Sequence, residues 1–174
     1  MSDTGHTVKS YAEEMQSLND DLIKMGSLTE SQLADAMEAV IKLDKESVDK
    51  IVQNDSKINA LRAAIDNQIT TVLVKRAPMA VDLRITISTM KISHDLERIG
   101  DLAKSVAKKV TPLPIDLPDE LVNSLRRLGD LVQKQLKDVL DAYLNNSKDK
   151  AIEIWRKDGQ VDDLTNLAMN EVAN

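Results

Sequence analysis

The chain repeats part of its own sequence at an offset of 103 residues. Over residues 23–69, ten residues recur without a gap, about 21% identity against the roughly 6% expected by chance. The matched pairs include Gly26 with Gly129, Leu33 with Leu136, Ala39 with Ala142 and Asp55 with Asp158. A duplicated sequence builds two copies of one structural unit, so the fold of the first copy predicts the fold of the second.

Composition and hydrophobic periodicity both indicate that this unit is helical. The 174 residues contain only three aromatics, five glycines and four prolines, whereas β-sheet proteins depend on aromatic strands and frequent turns. Apolar residues recur at steps of three and four, which predicts helices at about 8–43, 46–75 and 78–110. The repeat then predicts helix four at 118–145 and helix five at 147–174. Helices of about 30 residues need partners along their whole length, and an antiparallel bundle supplies them.

The predicted fold class is therefore all-α, with tandem three-helix bundles. We expect a disordered tail at 1–8, a first three-helix repeat at 9–111, a linker at 112–118 and an incomplete second repeat at 119–174. The copy of helix three would fall beyond Asn174, so the second bundle is expected to lack its third helix in this chain. Either the chain is truncated, or a neighbouring molecule covers the apolar stripes that remain.

Charge and composition exclude several classes of protein. The longest stretch without a charged residue is eight residues, at 67–74, whereas a membrane-spanning helix needs about 20 apolar residues. The net charge of −6 repels nucleic-acid phosphates, and the aromatics that stack on single strands are scarce. Without cysteines or a secretory leader, we expect a cytoplasmic location, with no membrane span and no nucleic-acid partner.

The candidate functional residues are acidic pairs one helical turn apart. Glu97 and Asp101 share one face of predicted helix three, and two such carboxylates could hold Mg²⁺, Mn²⁺ or iron. Spacing alone favours a solvated acidic face, because the chain has four such pairs and about five are expected by chance. His94 is more simply a hydrogen-bonded surface or packing residue, since no Glu-x-x-His motif accompanies it.

The repeat gives these pairs a possible geometry. Asp158 and Asp162 on helix five are equivalent to Asp55 and Asn59 on helix two. In an antiparallel hairpin, Asp55 and Glu97 would lie at similar heights, so the two pairs could face one another. The sequence contains no recognisable catalytic triad, glycine-rich phosphate loop or cysteine nucleophile, and we therefore expect no enzyme activity.

Two motifs of predicted helix three carry a family resemblance. The segment RAPMAVDLR at 76–84 and the segment KISHDLERIGD at 91–101, together with Met25-Gly26 in helix one, closely resemble the PhoU family of phosphate-uptake regulators. The resemblance covers essentially the whole chain. It implies a cytoplasmic helical adaptor, usually a homodimer, that acts by contact and without catalysis. Its expected partners are the phosphate ABC transporter, through the ATPase PstB, and the sensor histidine kinase PhoR, which it would hold in the signalling-off state.

The resemblance also implies metal binding by acidic motifs paired across two helices of each repeat. Glu97 and Asp101 match such a motif on helix three, and Asp158 and Asp162 match on helix five. Asp55 matches as well, but Asn59 stands where a second carboxylate would complete the pair. We therefore expect at most one competent cluster, between helices two and three, with low occupancy by Mg, Mn or Fe. The alternative function is a metal-binding bundle that stores metal or uses it in catalysis.

Overall fold

The computed structural model describes residues 3–112, 117–157 and 159–173, with side chains from residue 10 to residue 170, and within these ranges α-helices are its only regular secondary structure. The helices are α1 (Asp3–Lys42), α2 (Glu46–Arg76), α3 (Ala80–Lys108), α4 (Asp119–Leu144), α5 (Lys148–Arg156) and α6 (Gly159–Ala173). The all-α prediction is confirmed. None of the helices in these ranges is both long enough and apolar enough to cross a membrane.

The first four helices lie close to their predicted positions. Helix α1 begins at Asp3, within the segment 1–8 for which the sequence predicts a disordered tail; residues 1 and 2 lie outside the described residues. Of the predicted linker 112–118, residues 113–116 likewise lie outside the described residues.

The prediction of one continuous helix at 147–174 is wrong. Helix α5 ends at Arg156, and the amide of Lys157 donates to the carbonyl of Ile154 at 3.0 Å, a tight closing turn. Helix α6 then begins at Gly159. The physical reason lies in Gly159, because glycine disfavours a helix interior by about 1 kcal/mol relative to alanine and is better placed at a helix end.

Helices α1 and α2 bury residues at alternating steps of three and four, the spacing of a coiled-coil seam. On α1 the buried positions at this spacing are Leu18, Leu22, Met25, Thr29, Gln32, Ala36 and Ala39, and their neighbours Gly26 and Val40 are also buried. On α2 they are Val48, Ile51, Asp55, Ile58, Ile65, Ile69 and Val72. Each helix therefore presents a narrow buried stripe that extends along most of its length.

Helix α3 buries only part of the set of residues that its hydrophobicity predicts. The sequence places six residues inward, namely Ile85, Ile92, Leu96, Ile99, Ala103 and Val106. Leu96 and Ala103 are buried, as predicted, but Ile85 is 44% and Val106 is 39% exposed, so the prediction is wrong for these two. The buried stripe consists of small or hydroxyl-bearing residues with one larger aliphatic, namely Thr86, Thr89, Ser93, Leu96, Gly100, Ala103 and Ala107. Small side chains let helix backbones approach closely, which explains why they occupy the buried stripe.

The hydroxyl groups on this stripe bond within their own helix. Thr86 Oγ1 donates to the carbonyl of Asp82 at 2.8 Å, and Thr89 Oγ1 donates to the carbonyl of Ile85 at 3.0 Å. These bonds satisfy the buried donors, so burial of the hydroxyls carries little desolvation penalty.

The chain separates into two compact units. The first contains Met1–Thr29 and Gln53–Leu102, and the second contains Glu30–Val52 and Ala103–Asn174. In the second unit, a continuous core joins residues of α1, α2 and α3, with partly buried Leu125 of α4 packed against it. Helices α5 and α6 both pack on α4 within this unit.

The corner between α1 and α2 recurs between α4 and α5 at the same offset of 103 residues. Leu43 and Asn146 both have left-handed φ angles, of 52° and 48°. One residue later, the amide of Asp44 donates to the carbonyl of Ala39 at 2.9 Å, and the equivalent amide of Ser147 donates to the carbonyl of Ala142 at 2.8 Å. This bond pattern closes a helix with a left-handed residue.

The residue after each corner also caps the next helix. The Asp44 carboxylate accepts from the amides of Glu46 and Ser47 at 3.0 and 3.2 Å, and the Ser147 hydroxyl accepts from the amide of Lys150 at 3.4 Å. Asp and Ser are both strong N-cap residues. The repeat is thus expressed in backbone geometry as well as in sequence.

A close helix contact in the second unit generates a first prediction. An added Cβ at Gly129 would lie 2.9 Å from Met37 Cε and 3.2 Å from Met37 Cγ. Gly129→Leu is therefore expected to lower the free energy of unfolding by about 1–3 kcal/mol, measured by urea denaturation, because it overpacks this contact. In a Met37→Ala background the same substitution should cost less, and an equal cost in both backgrounds would show that Met37 is not the obstacle.

An ion pair between α1 and α2 in the first unit generates a second prediction. Arg76 Nη2 and Nε donate to the two oxygens of Glu14 at 2.8 and 3.0 Å, and Nη2 also donates to Ser10 Oγ at 2.7 Å. The hydrogen bonds from Arg76 are the main reason that the pKa of Glu14 lies below its ordinary value of 4.5.

A carboxyl group with a lowered folded-state pKa stabilises the protein above its unfolded pKa and loses that contribution as the pH falls through the folded value. Glu14→Gln should therefore lower the thermal midpoint at pH 7, and the difference from the parent should disappear in acid below pH 4.5. Thermal melts from pH 7 to pH 3 measure it. Glu13→Gln, which removes an exposed carboxylate from the same turn, is the control, and a pH-independent difference for Glu14→Gln would contradict the prediction.

Candidate functional site

The acidic pair on α3 lies within the first unit. Glu97 and Asp101 are both half-buried, one helical turn apart, and Gly100 between them is buried. The predicted placement of both carboxylates on one helix is confirmed by α3, which runs through both residues without a break. Their half-buried position leaves part of each carboxylate in contact with solvent.

The equivalent pair on α2 is bonded within itself. Asp55 is only 4% exposed, whereas Asn59 is exposed. The Asn59 amide nitrogen donates to Asp55 Oδ2 at 3.2 Å. Asn59 therefore satisfies one of the acceptor sites of the Asp55 carboxylate, which a second carboxylate at this position could not do without a proton or a cation between the two groups.

Of the third pair, only one member is described. Asp162 is exposed in the first turn of α6. Asp158 lies outside the described residues.

The geometry does not assemble a multidentate metal site. Among residues 3–112, 117–157 and 159–173, no group of three or more His, Asp or Glu side chains is placed to hold a metal ion. A structural metal centre needs about four to eight ligands in a closed arrangement. The described residues do not fit a multinuclear cluster, and weak metal binding at Asp55, Asn59, Glu97 and Asp101 stays a prediction.

His94 belongs to a polar cluster between α2 and α3 that the sequence analysis did not identify in full. His94 Nε2 lies 3.1 Å from Asp66 Oδ1, and Arg62 Nη1 lies 3.1 Å from Asp66 Oδ2. The interpretation of His94 as a hydrogen-bonded surface residue is confirmed. Its partners are 28 and 32 residues away in sequence, so no local pattern could have revealed them.

One groove of the first unit has a lining that does not suit phosphate. A groove of about 520 Å³ in the first unit is lined by two glutamates, Glu13 and Glu14, and by neither lysine nor arginine among its described residues. Such a surface repels anions.

A second groove, of about 290 Å³ between α4 and α5, has three lysines in its lining but also Asp138 and Glu153. Lys134 donates to Asp138 at 3.2 Å and Lys157 donates to Glu153 at 2.6 Å. These hydrogen bonds hold the pKa of each carboxyl group below its ordinary value, which keeps both groups ionised. The two carboxylates therefore offset two of the three lysine charges.

Comparison with known proteins decides the family. The family model described as the PhoU domain matches residues 22–110 and 125–174. The chain belongs to the PhoU family. The two matched segments begin 103 residues apart, which is the offset of the internal repeat.

Relatives with the same family name cover nearly the whole chain. A phosphate-specific transport system accessory protein PhoU homolog of Caulobacter vibrioides is 39% identical over 170 residues, covering 97% of this chain and 74% of the relative. A protein of the same name from Clostridium acetobutylicum is 34% identical over 169 residues, covering 97% of this chain and 77% of the relative. The crystal structure of PhoU from Pseudomonas aeruginosa matches with a TM-score of 0.85 and 33% identity, covering 94% and 78% of the two chains.

The incomplete ligand set of this PhoU family member generates a third prediction. After incubation with Mn²⁺ or Fe²⁺ and gel filtration, elemental analysis should find less than one metal ion per chain, and EDTA should leave the thermal midpoint unchanged. The Glu97→Ala, Asp101→Ala double variant is the control, since it should remove whatever metal the α2–α3 acidic residues retain. Stoichiometric metal that raises the midpoint and is lost in the double variant would contradict the expectation of weak binding.

Proposed function

We propose that this chain regulates phosphate uptake by binding other proteins, without catalysing a reaction. A role in phosphate transport is supported by relatives that are named as accessory proteins of phosphate-specific transport systems. We propose further that the chain works in the cytoplasm as a homodimer. It damps the phosphate ABC transporter through its ATPase PstB and keeps the sensor histidine kinase PhoR in the signalling-off state.

The observation that carries the proposal is the number of large apolar side chains that the first unit leaves exposed. They lie at the end of α2, in the corner that follows it and along α3, and they are Val74, Met79, Val81, Leu83, Ile85 and Leu102. Exposed apolar groups that cluster on a folded surface are typical of protein interaction sites. Because the small residues of α3 already form its buried stripe, these side chains are available to a partner.

The charges that line the two grooves also favour a function through protein binding over a function through phosphate binding. The larger groove presents glutamates, and the lysines of the smaller groove are largely neutralised by carboxylates. A protein that responds to phosphate without an evident pocket for it can do so by binding the proteins that transport or sense it. The structure thus supports an adaptor better than a phosphate receptor.

The direct test of this function, our fourth prediction, uses the purified chain against two purified partners from the same organism. Biolayer interferometry with immobilised chain should detect the transporter ATPase and the cytoplasmic part of the sensor kinase, with dissociation constants in the micromolar range or tighter. An unrelated ABC-transporter ATPase is the matched control. If neither the ATPase nor the kinase binds under phosphate-replete or phosphate-free conditions, the proposed function is wrong.

A further inference from the structure

The corner between α2 and α3 is the most exposed apolar feature of the first unit. Val74 is 79% exposed, Met79 is 80% exposed and Val81 is 60% exposed. All three lie within the eight residues that close the α2–α3 hairpin. A soluble chain gains nothing from placing three large apolar side chains together in water, so their position calls for a partner.

The backbone of this corner is held in a conformation that its residues do not prefer. Ala77 and Ala80 have φ angles of 43° and 51°, in the left-handed region that residues with a Cβ rarely adopt. The hydrogen bonds from Arg76 to Glu14 and Ser10 fasten the end of α2 to α1 directly before the first of these residues. The corner that carries Met79 thus begins at a helix end that is bonded to α1, and an anchor on a pre-organised support binds with less loss of entropy.

The charge of the corner differs in sign from that of the whole chain. Residues 74–84 contain Lys75, Arg76 and Arg84 but only one acid, Asp82, whereas the whole chain has a net charge of −6. Lys75 and Arg84 are exposed. Asp82 lies close enough to Tyr11 of α1 that, after burial, its negative charge is a cause of the raised pKa of the Tyr11 phenol. A complementary surface would therefore be apolar at its centre and acidic at its edge.

The size of the apolar surface favours a protein over a lipid bilayer. The exposed large apolar side chains of residues 74–84 are Val74, Met79, Val81 and Leu83. Together they offer about thirteen carbons, whereas a single myristoyl chain of about fourteen carbons gives only marginal membrane binding. The net charge of −6 would oppose approach to an anionic bilayer. A few such side chains are sufficient, in contrast, to form the buried centre of a protein interface, where a few residues supply most of the affinity.

We propose that the α2–α3 corner, residues 74–84, docks into an apolar pocket edged by carboxylates on a partner protein. Met79 is the central anchor, Val74 and Val81 flank it, and Lys75 and Arg84 meet the acidic edge. This inference rests on the proposed function, because it identifies the surface through which the adaptor makes contact.

The fifth prediction compares two methionines of similar exposure. Met79→Asp in the full chain should weaken binding to the purified transporter ATPase or to the cytoplasmic part of the sensor kinase by at least tenfold, since it places a carboxylate against an acidic-edged pocket. Met169→Asp, at a residue of α6 that is 67% exposed, should change binding by less than twofold. Lys75→Glu with Arg84→Glu should slow association and reduce its dependence on salt. Circular dichroism melts check that the variants fold.

The outcomes separate failure of the corner from failure of the function. Unweakened binding by Met79→Asp, while the parent chain binds, overturns the corner as the docking surface and leaves the proposed function intact. Absence of binding by the parent chain overturns both. A separate experiment measures binding of the chain to vesicles of phosphatidylcholine and phosphatidylglycerol in a 3:1 ratio. The proposal would also be overturned if the parent chain sediments with these vesicles, Met79→Asp does not, and the same substitution leaves protein binding unchanged. That result would show that the corner contacts a membrane.

Discussion

The close approach of helices to α3 depends on side chains that are small and that satisfy their own polar groups. Thr29 Oγ1 bonds to the carbonyl of Met25 at 3.0 Å and lies 3.5 Å from the carbonyl of Leu96, so α1 and α3 meet almost backbone to backbone at this level of the first unit. A side chain larger than Thr29 at this contact would push the two helices apart. Two of the larger aliphatic side chains of α3, Ile85 and Val106, accordingly lie outside the buried stripe and are exposed.

Local sequence features predicted the helices more accurately than the faces that they bury. Periodicity located α1 to α4, because the apolar residues of α1 and α2 are also the buried ones. It was only partly right on α3, where Leu96 and Ala103 are buried as predicted but Ile85 and Val106 are exposed while Thr86 and Ala107 are buried. A hydrophobicity pattern cannot register how closely two backbones approach. The break at Gly159 could have been predicted from the Asp-Gly dipeptide, but the strength of the repeat argued for a continuous helix.

For the candidate site, the sequence predicted the relative positions of residues on the same helix but not the contacts between residues on different helices. The one-turn spacing of Glu97 and Asp101 follows from helix geometry, and so does the bond from Asn59 to Asp55. Distances between helices depend on the packing of the whole unit, which is why the His94–Asp66 contact was absent from the prediction. Exposure of the α2–α3 corner was also missed, although its motif at 76–84 was among the first features to indicate the family.

The polar residues of the buried stripes serve a structural purpose that does not require a ligand. Thr29 on α1 and Asp55 on α2 interrupt stripes that are otherwise mainly aliphatic. A buried polar group stabilises only the alignment in which its hydrogen bonds are made, so it disfavours neighbouring helices that are shifted by a turn. Thr29 Oγ1 lies 3.5 Å from the carbonyl of Leu96 and so favours one alignment of α1 with α3. The carboxylate of Asp55, in contrast, accepts a hydrogen bond from Asn59 of its own helix, and neither bond requires a metal ion.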